Sequence, residues 1–231
     1  MGKNSKSRKQ KQREAARKKN RKKNIKKYTT YTLIFIAIAG IIGLVVMLSN
    51  QPPYIPQAQD SPQSNAESDI TFLQFGCYTC PFTKQFNLQT MPTLKQEYAD
   101  EVNFRQKTMP IRRNTGSSLA GEAALCVYEN EGFEAYESYN TRLYQGPERF
   151  TQTDLDNFAS DVGADMNQFS ECMDERRYQD QINDWESQGR RAGITQTPTV
   201  FIRNEETGST ARIDGSARAS EYRQAIDRVT S

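Results

Sequence analysis

Ile70-Thr-Phe-Leu-Gln-Phe75 followed by Gly76-Cys77-Tyr-Thr-Cys80-Pro81-Phe82 reads as a strand running into a helix, with two cysteines at the junction. The first six residues are mostly β-branched or aromatic, as strands prefer. After Cys80-Pro81, the apolar positions Phe82, Phe86, Leu94 and Tyr98 fit helical spacing, and Pro92 is expected to kink or break that run. A thiol on the first turn of such a helix faces unpaired backbone N–H groups and the positive end of the macrodipole. Both favour the thiolate, so Cys77 is expected to titrate well below the ordinary thiol value of about 8.5. Cys80 is expected one turn on, on the same face, where it can attack a mixed disulfide formed at Cys77. Thr79 could offer its hydroxyl to the Cys77 sulfur, and Tyr78 and Pro81 complete the surroundings. C-x-x-C alone is moderate evidence; between a strand and a helix it is strong.

The bland readings of the pair are a static disulfide or half of a zinc site. With no histidine in the chain, zinc would need Cys126 and Cys172 as its other ligands. These lie far apart in sequence and form no second C-x-x-C, so a metal is not expected. The two are better explained by each other, as a structural disulfide closing a loop of about 47 residues and contributing up to about 4 kcal/mol. Two separate buried thiols remain the alternative, because spacing alone cannot establish proximity.

Around these cysteines the 69–231 segment is long enough for one core. Val102–Met109 reads as a second strand ended by Pro110. A helical block at about 115–190 follows. Thr153-Asp-Leu-Asp156 has the form of a capping box, and Asp165 with Gln168 repeats the signal. Gly193 ends the block, Thr199–Ile202 and Ala211–Ile213 read as a hairpin, and Tyr222, Ile226 and Val229 mark a last helix. The order β, α, β, helices, β, β, α predicts an α/β fold: a parallel pair with a crossover, then antiparallel strands, in a mixed sheet flanked by helices.

The charge is split. The chain carries 31 Lys and Arg against 28 Asp and Glu, a net of +3, yet residues 1–27 hold 14 of those bases and a single acid, Glu14. Tyr28–Ser49 is then free of charge and apolar all round, long enough to cross about 30 Å of hydrocarbon. We read 28–49 as a transmembrane signal-anchor helix and 1–27 as a cytoplasmic tail held there by the positive-inside bias. A cleaved signal peptide is the rival, but no convincing cleavage site follows. The basic run could bind nucleic acid; beside a membrane span it is better explained as a topology signal and a contact with anionic lipid. Gln51–Ser68 is rich in Pro, Gln, Ser and Asn, and 50–68 is expected to be a disordered tether. The missing histidine also removes Ser-His-Asp and Cys-His hydrolysis and His general bases at one stroke.

Taken together, Phe72-Leu-Gln-Phe-Gly-Cys-Tyr-Thr-Cys-Pro-Phe82, Gly193-Ile-Thr-Gln-Thr-Pro-Thr-Val-Phe-Ile202 and a helical insertion with two further cysteines resemble the DsbA-like thiol:disulfide oxidoreductases of the thioredoxin superfamily. The resemblance implies a thioredoxin-like fold over residues 69–229 and a cis bond at Pro198 beside Cys77. It also implies that Thr197 and Pro198 present backbone to an extended substrate. The strongly oxidising members carry Pro-His between the cysteines where this chain has Tyr78-Thr79, so the direction of redox flow stays open between disulfide donation and reduction or isomerisation. The resemblance implies exported, cysteine-containing substrates outside the cytoplasm, no cofactor, and a membrane redox partner (a quinone-linked reoxidase, or a reductant). A non-enzymatic binding module with a locked bridge is the competing class.

Overall fold

The computed structural model describes positions 17, 21, 29, 31, 34–45, 53–64, 67–111 and 115–231, which fall into two compact units divided after Pro53. In the first, residues 34–45 are helical with exposed side chains (α1). Among the described residues no helix is long and apolar enough to cross a membrane. Positions 28, 30, 32, 33 and 46–49 of the span expected at 28–49, and most of the basic tail, lie outside the described residues.

The second unit is built on β1 (Ile70–Gly76), whose seven residues are all buried. It pairs in parallel with β2 (Asn103–Thr108) and antiparallel with β3 (Thr199–Asn204), which pairs antiparallel with β4 (Thr210–Asp214), giving the order β2-β1-β3-β4. A strand covered on both faces reads as a continuous apolar run, and β1 does. Ile70 and Phe72 pack with Phe86, Leu94, Phe104, Val200, Ile202 and Tyr222 on one face; Leu73 and Phe75 meet Met109, Ile194 and Phe201 on the other. Between β1 and β2 the chain forms α2 (Pro81–Gln85), a π-helical turn (Phe86–Thr90) and α3 (Met91–Glu97). The break anticipated at Pro92 is that π turn, with Pro92 placed in the first turn of α3, where its missing N–H costs nothing.

Four helices fill the expected insertion: α4 (Thr115–Gln145), α5 (Gln152–Asp161), α6 (Met166–Asp174) and α7 (Gln179–Arg191). The last element is α8 (Ala219–Thr230). α4 is two helices joined at Gly132, whose φ of 81° suits glycine. The capping box starts two residues earlier than the sequence suggested: Thr151, not Thr153, caps α5 and exchanges hydrogen bonds with Asp154. Thr-x-x-Asp occurs at both places, and the local pattern alone does not separate them. Asp165 caps α6 through the N–H groups of Asn167 and Gln168.

The expected disordered tether is corrected over residues 54–64, which pack as a strap on the body. Pro56, Ala58, Ser61 and Pro62 are buried. Arg105 donates to the carbonyls of Ala58 and Ser61, both at 2.9 Å, and Gln63 bridges to Arg105 along the outer edge of β2. Asp60 accepts from Lys107, from Trp185 Nε1 at 2.8 Å and from Gln188 Nε2 at 3.1 Å. The Lys107 side chain is wholly buried, and an unpaired buried ammonium is costly. The strap supplies its counter-charge. Polar docking of this kind has no apolar periodicity, so composition alone misses it.

Burial alone would raise the Asp60 carboxyl; the hydrogen bond and charge of Lys107, helped by Trp185 and Gln188, outweigh it and hold the carboxyl below its usual range. A depressed folded value contributes stability above the unfolded value of about 3.9 that is lost as pH falls through the folded one. Asp60→Asn should therefore cost about 2 kcal/mol in urea unfolding at pH 7. That loss should shrink as the wild type is titrated below about pH 4. An unchanged midpoint at pH 7 would mean the strap does not brace the body.

Candidate active site

Strand β1 ends at Gly76, where a side chain has no room: a Cβ there would meet Gln74 Nε2 at 2.7 Å, Thr83 Cγ2 at 3.1 Å and the Tyr144 hydroxyl at 3.2 Å. The chain then turns through Cys77-Tyr78-Thr79 into the helix. Cys80, not Cys77, sits at the N-cap, with Pro81 in the first turn of α2. The expectation that Cys77 lies on the first helical turn is corrected accordingly: it sits three residues earlier, at the strand end. The turn is closed by Cys80 N–H donating to the Cys77 carbonyl at 3.1 Å, and Lys84 N–H donates to the Cys80 carbonyl at 3.0 Å. The two cysteines are bridged, with Cα atoms 5.3 Å apart. Thr79 Oγ1 lies 3.3 Å from Cys77 Sγ, as its spacing suggested. Cys77 is fully enclosed in this bridged state and Cys80 is partly open, while Phe82 is 64% exposed just beyond.

Thr197-Pro198 is a cis peptide, and both residues are buried. Its place follows from the sheet. Thr199 is the partner of Phe75 in the antiparallel β1–β3 pair, so Thr197-Pro198 immediately precedes β3 at the end of the sheet where Gly76 and Cys77 complete and follow β1. The Pro198 carbonyl accepts from Gly215 N–H at 2.7 Å, and Thr199 Oγ1 donates to the Gln196 carbonyl at 2.9 Å, which fixes the segment from both sides. Two motifs about 120 residues apart are thus brought to one end of the sheet by a single register.

Tyr78 is the residue whose role the sequence hid. It is 1% exposed and inserted into the helical insertion. Its N–H donates to Ser117 Oγ at 3.0 Å. Its hydroxyl donates to Asn140 Oδ1 and accepts from Gln106 Nε2 at 3.0 Å. Its ring lies 4.9 Å from that of Tyr144. Burial pushes the Tyr78, Tyr136 and Tyr144 phenols well up, so all three stay protonated and neutral. Ser117, Gln106 and Asn140 were not singled out from sequence; the available signal was Gln106-Lys107 in a short strand, two polar side chains that must point to opposite faces.

Cys126 on α4 and Cys172 on α6 are also bridged, Cα to Cα 5.9 Å, and both are buried. With this pair bridged, the alternative of two separate buried thiols falls. Among the described residues no group of three or more His, Cys, Asp or Glu could hold a metal.

The thioredoxin family model matches residues 63–228. The chain belongs to the thioredoxin family. Its fold is that of solved DsbA-type proteins. BdbD from Bacillus subtilis superposes with a TM-score of 0.66 at 20% identity, over 76% of this chain and 96% of its own. The thiol-disulfide exchange protein alpha-DsbA2 from Wolbachia pipientis gives 0.64 at 21%, over 74% and 87%. The catalytic domain of ScsC from Proteus mirabilis gives 0.58 at 18%, over 73% and 88%. A comparison with curated protein sequences finds no match.

Replacing Cys126 and Cys172 together by alanine should cost about 2–4 kcal/mol in denaturant unfolding and leave the Cys77–Cys80 bridge exchangeable. Loss of exchange at Cys77 in a variant that still folds would give the second bridge more than a bracing role.

Proposed function

We propose that this thiol:disulfide oxidoreductase of the DsbA type is anchored in a membrane by residues 28–49, faces away from the cytoplasm, and donates disulfides to exported proteins. The observation that carries the reading is the bridged Cys77–Cys80 pair at a strand-to-helix turn. A substrate thiolate attacks the Cys77 sulfur; the Cys77–Cys80 bond breaks, and Cys80 leaves as a thiolate that takes up a proton. A second substrate thiolate then attacks the substrate sulfur of the mixed disulfide, releasing Cys77 as a thiolate. Two electrons have passed to the enzyme, and a quinone-linked membrane partner would remove them. In this reading Thr197 and Pro198 align the substrate backbone, while Tyr78, Thr79 and Pro81 shape the turn. The uncharged 28–49 stretch and the 14 bases before it support the anchor and its orientation.

Reduction or isomerisation uses the same atoms in the opposite sense. The absence of imidazole between the cysteines removes one means of stabilising the dithiol form, which keeps that direction in play. A locked structural bridge is favoured by one observation, the enclosure of Cys77.

The reading is tested with the full chain in its membrane. Cys80→Ser should accumulate mixed disulfides with exported proteins through Cys77, and the reduced Cys77 thiol should ionise below about 8.5. Absence of such adducts, with a bridge that does not equilibrate with glutathione, would leave the binding module as the better account. The protein should stay with membranes through an alkaline wash, and release would remove the anchor from the proposal.

A further inference from the structure

Tyr78 joins three parts of the protein at one point. Its backbone binds Ser117 near the start of α4, and its hydroxyl binds Asn140 near the end of α4, beyond the break at Gly132. Gln106 of β2 completes the hydroxyl's bonds at 3.0 Å. A residue flanked by two reactive sulfurs is thus held at both ends by the insertion. Asn140 is 5% exposed, and Ser117 is fully buried, so water does not readily replace these bonds.

The same four-residue turn carries a second constraint, the Cys77–Cys80 bond. Each constraint removes conformational freedom that the other would otherwise have to remove. Two such constraints on one short loop favour each other, and the coupling is reciprocal. With the bridge closed, the Tyr78 bonds form on an already ordered turn. With it open, they must order the turn themselves.

We propose that Tyr78 is a positioning residue that couples the helical insertion to the redox pair, its bonds to Ser117 and Asn140 favouring the bridged over the dithiol state. The proposal rests on the oxidoreductase reading of Cys77 and Cys80. A corollary follows from reciprocity: whatever tightens the two halves of α4 around Tyr78 makes the protein a weaker oxidant, and whatever spreads them makes it a stronger one.

The equilibrium to measure is protein disulfide plus two glutathione, giving protein dithiol plus glutathione disulfide, on the full chain in detergent with thiols trapped by acid and alkylation. Tyr78→Phe keeps the ring beside Tyr144 and removes the hydroxyl. It should shift this equilibrium toward the dithiol by about tenfold, about 30 mV toward a more oxidising potential. Asn140→Leu approaches the same bond from α4 and should give a shift of the same sign, and the double variant should shift no further than the larger single one. Should Tyr78→Phe fail to fold, Asn140→Leu alone decides the matter. An unchanged equilibrium in a folded variant, or a shift toward the disulfide, overturns the coupling while leaving the oxidoreductase reading intact. Failure of the wild type to equilibrate with glutathione at all overturns both.

Discussion

The site depends on β1 being held from both sides. Its parallel partner β2 and its antiparallel partner β3 leave it no free edge, and the two apolar layers leave it no free face. A strand fixed in that way has one place for its last residue. The register with β3, which pairs Phe75 with Thr199, then brings Thr197-Pro198 to the same end of the sheet as Gly76 and Cys77. A slip of one residue would send Phe72 and Ile70 to the wrong layer, so the positioning of the reactive turn is enforced by the whole hydrophobic core. Gly76 is the point where that rigidity meets the chemistry, because Thr83, Gln74 and Tyr144 close around it with no space for a Cβ.

A second layer of order is polar. Lys107 is next to Arg105 on the face of β2 that the strap covers, and Asp60 reaches it from a segment with the composition of a linker. On the other face, Gln106 reaches Tyr78. A six-residue strand therefore recruits the strap on one side and the reactive turn on the other, through adjacent side chains of opposite direction. Buried polar groups of this sort gain little net energy but are costly to leave unpaired, and that asymmetry makes them specify one arrangement.

These two layers explain what could be read in advance. The strands, the crossover and the helical block were legible because apolar periodicity and turn residues announce them, as with Phe72 and Phe75 or Tyr222, Ile226 and Val229. The reactive pair was legible because C-x-x-C between a strand and a helix has few other uses. The strap was not, since Asp60 finds Lys107 across 47 residues by charge and not by pattern. Nor was the inward turn of Tyr78, since nothing in Cys-Tyr-Thr-Cys distinguishes an exposed tyrosine from one that fills a cavity. The helix start was misplaced by three residues for a local reason: Pro81 takes the first-turn position, so the cap falls on Cys80.

That displacement bears on how a thiolate could be stabilised here without imidazole. At the N-cap, Cys80 adjoins the unpaired N–H groups of the helix start, and Cys77 lies one tight turn away. The macrodipole acts most strongly within the first turn, so its benefit is shared between the two sulfurs instead of falling on Cys77 alone. The group aimed specifically at Cys77 is the Thr79 hydroxyl, at 3.3 Å. A hydroxyl donor stabilises a thiolate less than a cation would, because a neutral donor lacks the charge–charge attraction. A thioredoxin-family pair of this composition is therefore expected to hold its disulfide more firmly than one with histidine between the cysteines, and the buried bonds of Tyr78 act in the same sense. Both effects come from the two residues between the sulfurs, one through a hydroxyl facing Cys77 and the other through its grip on the insertion.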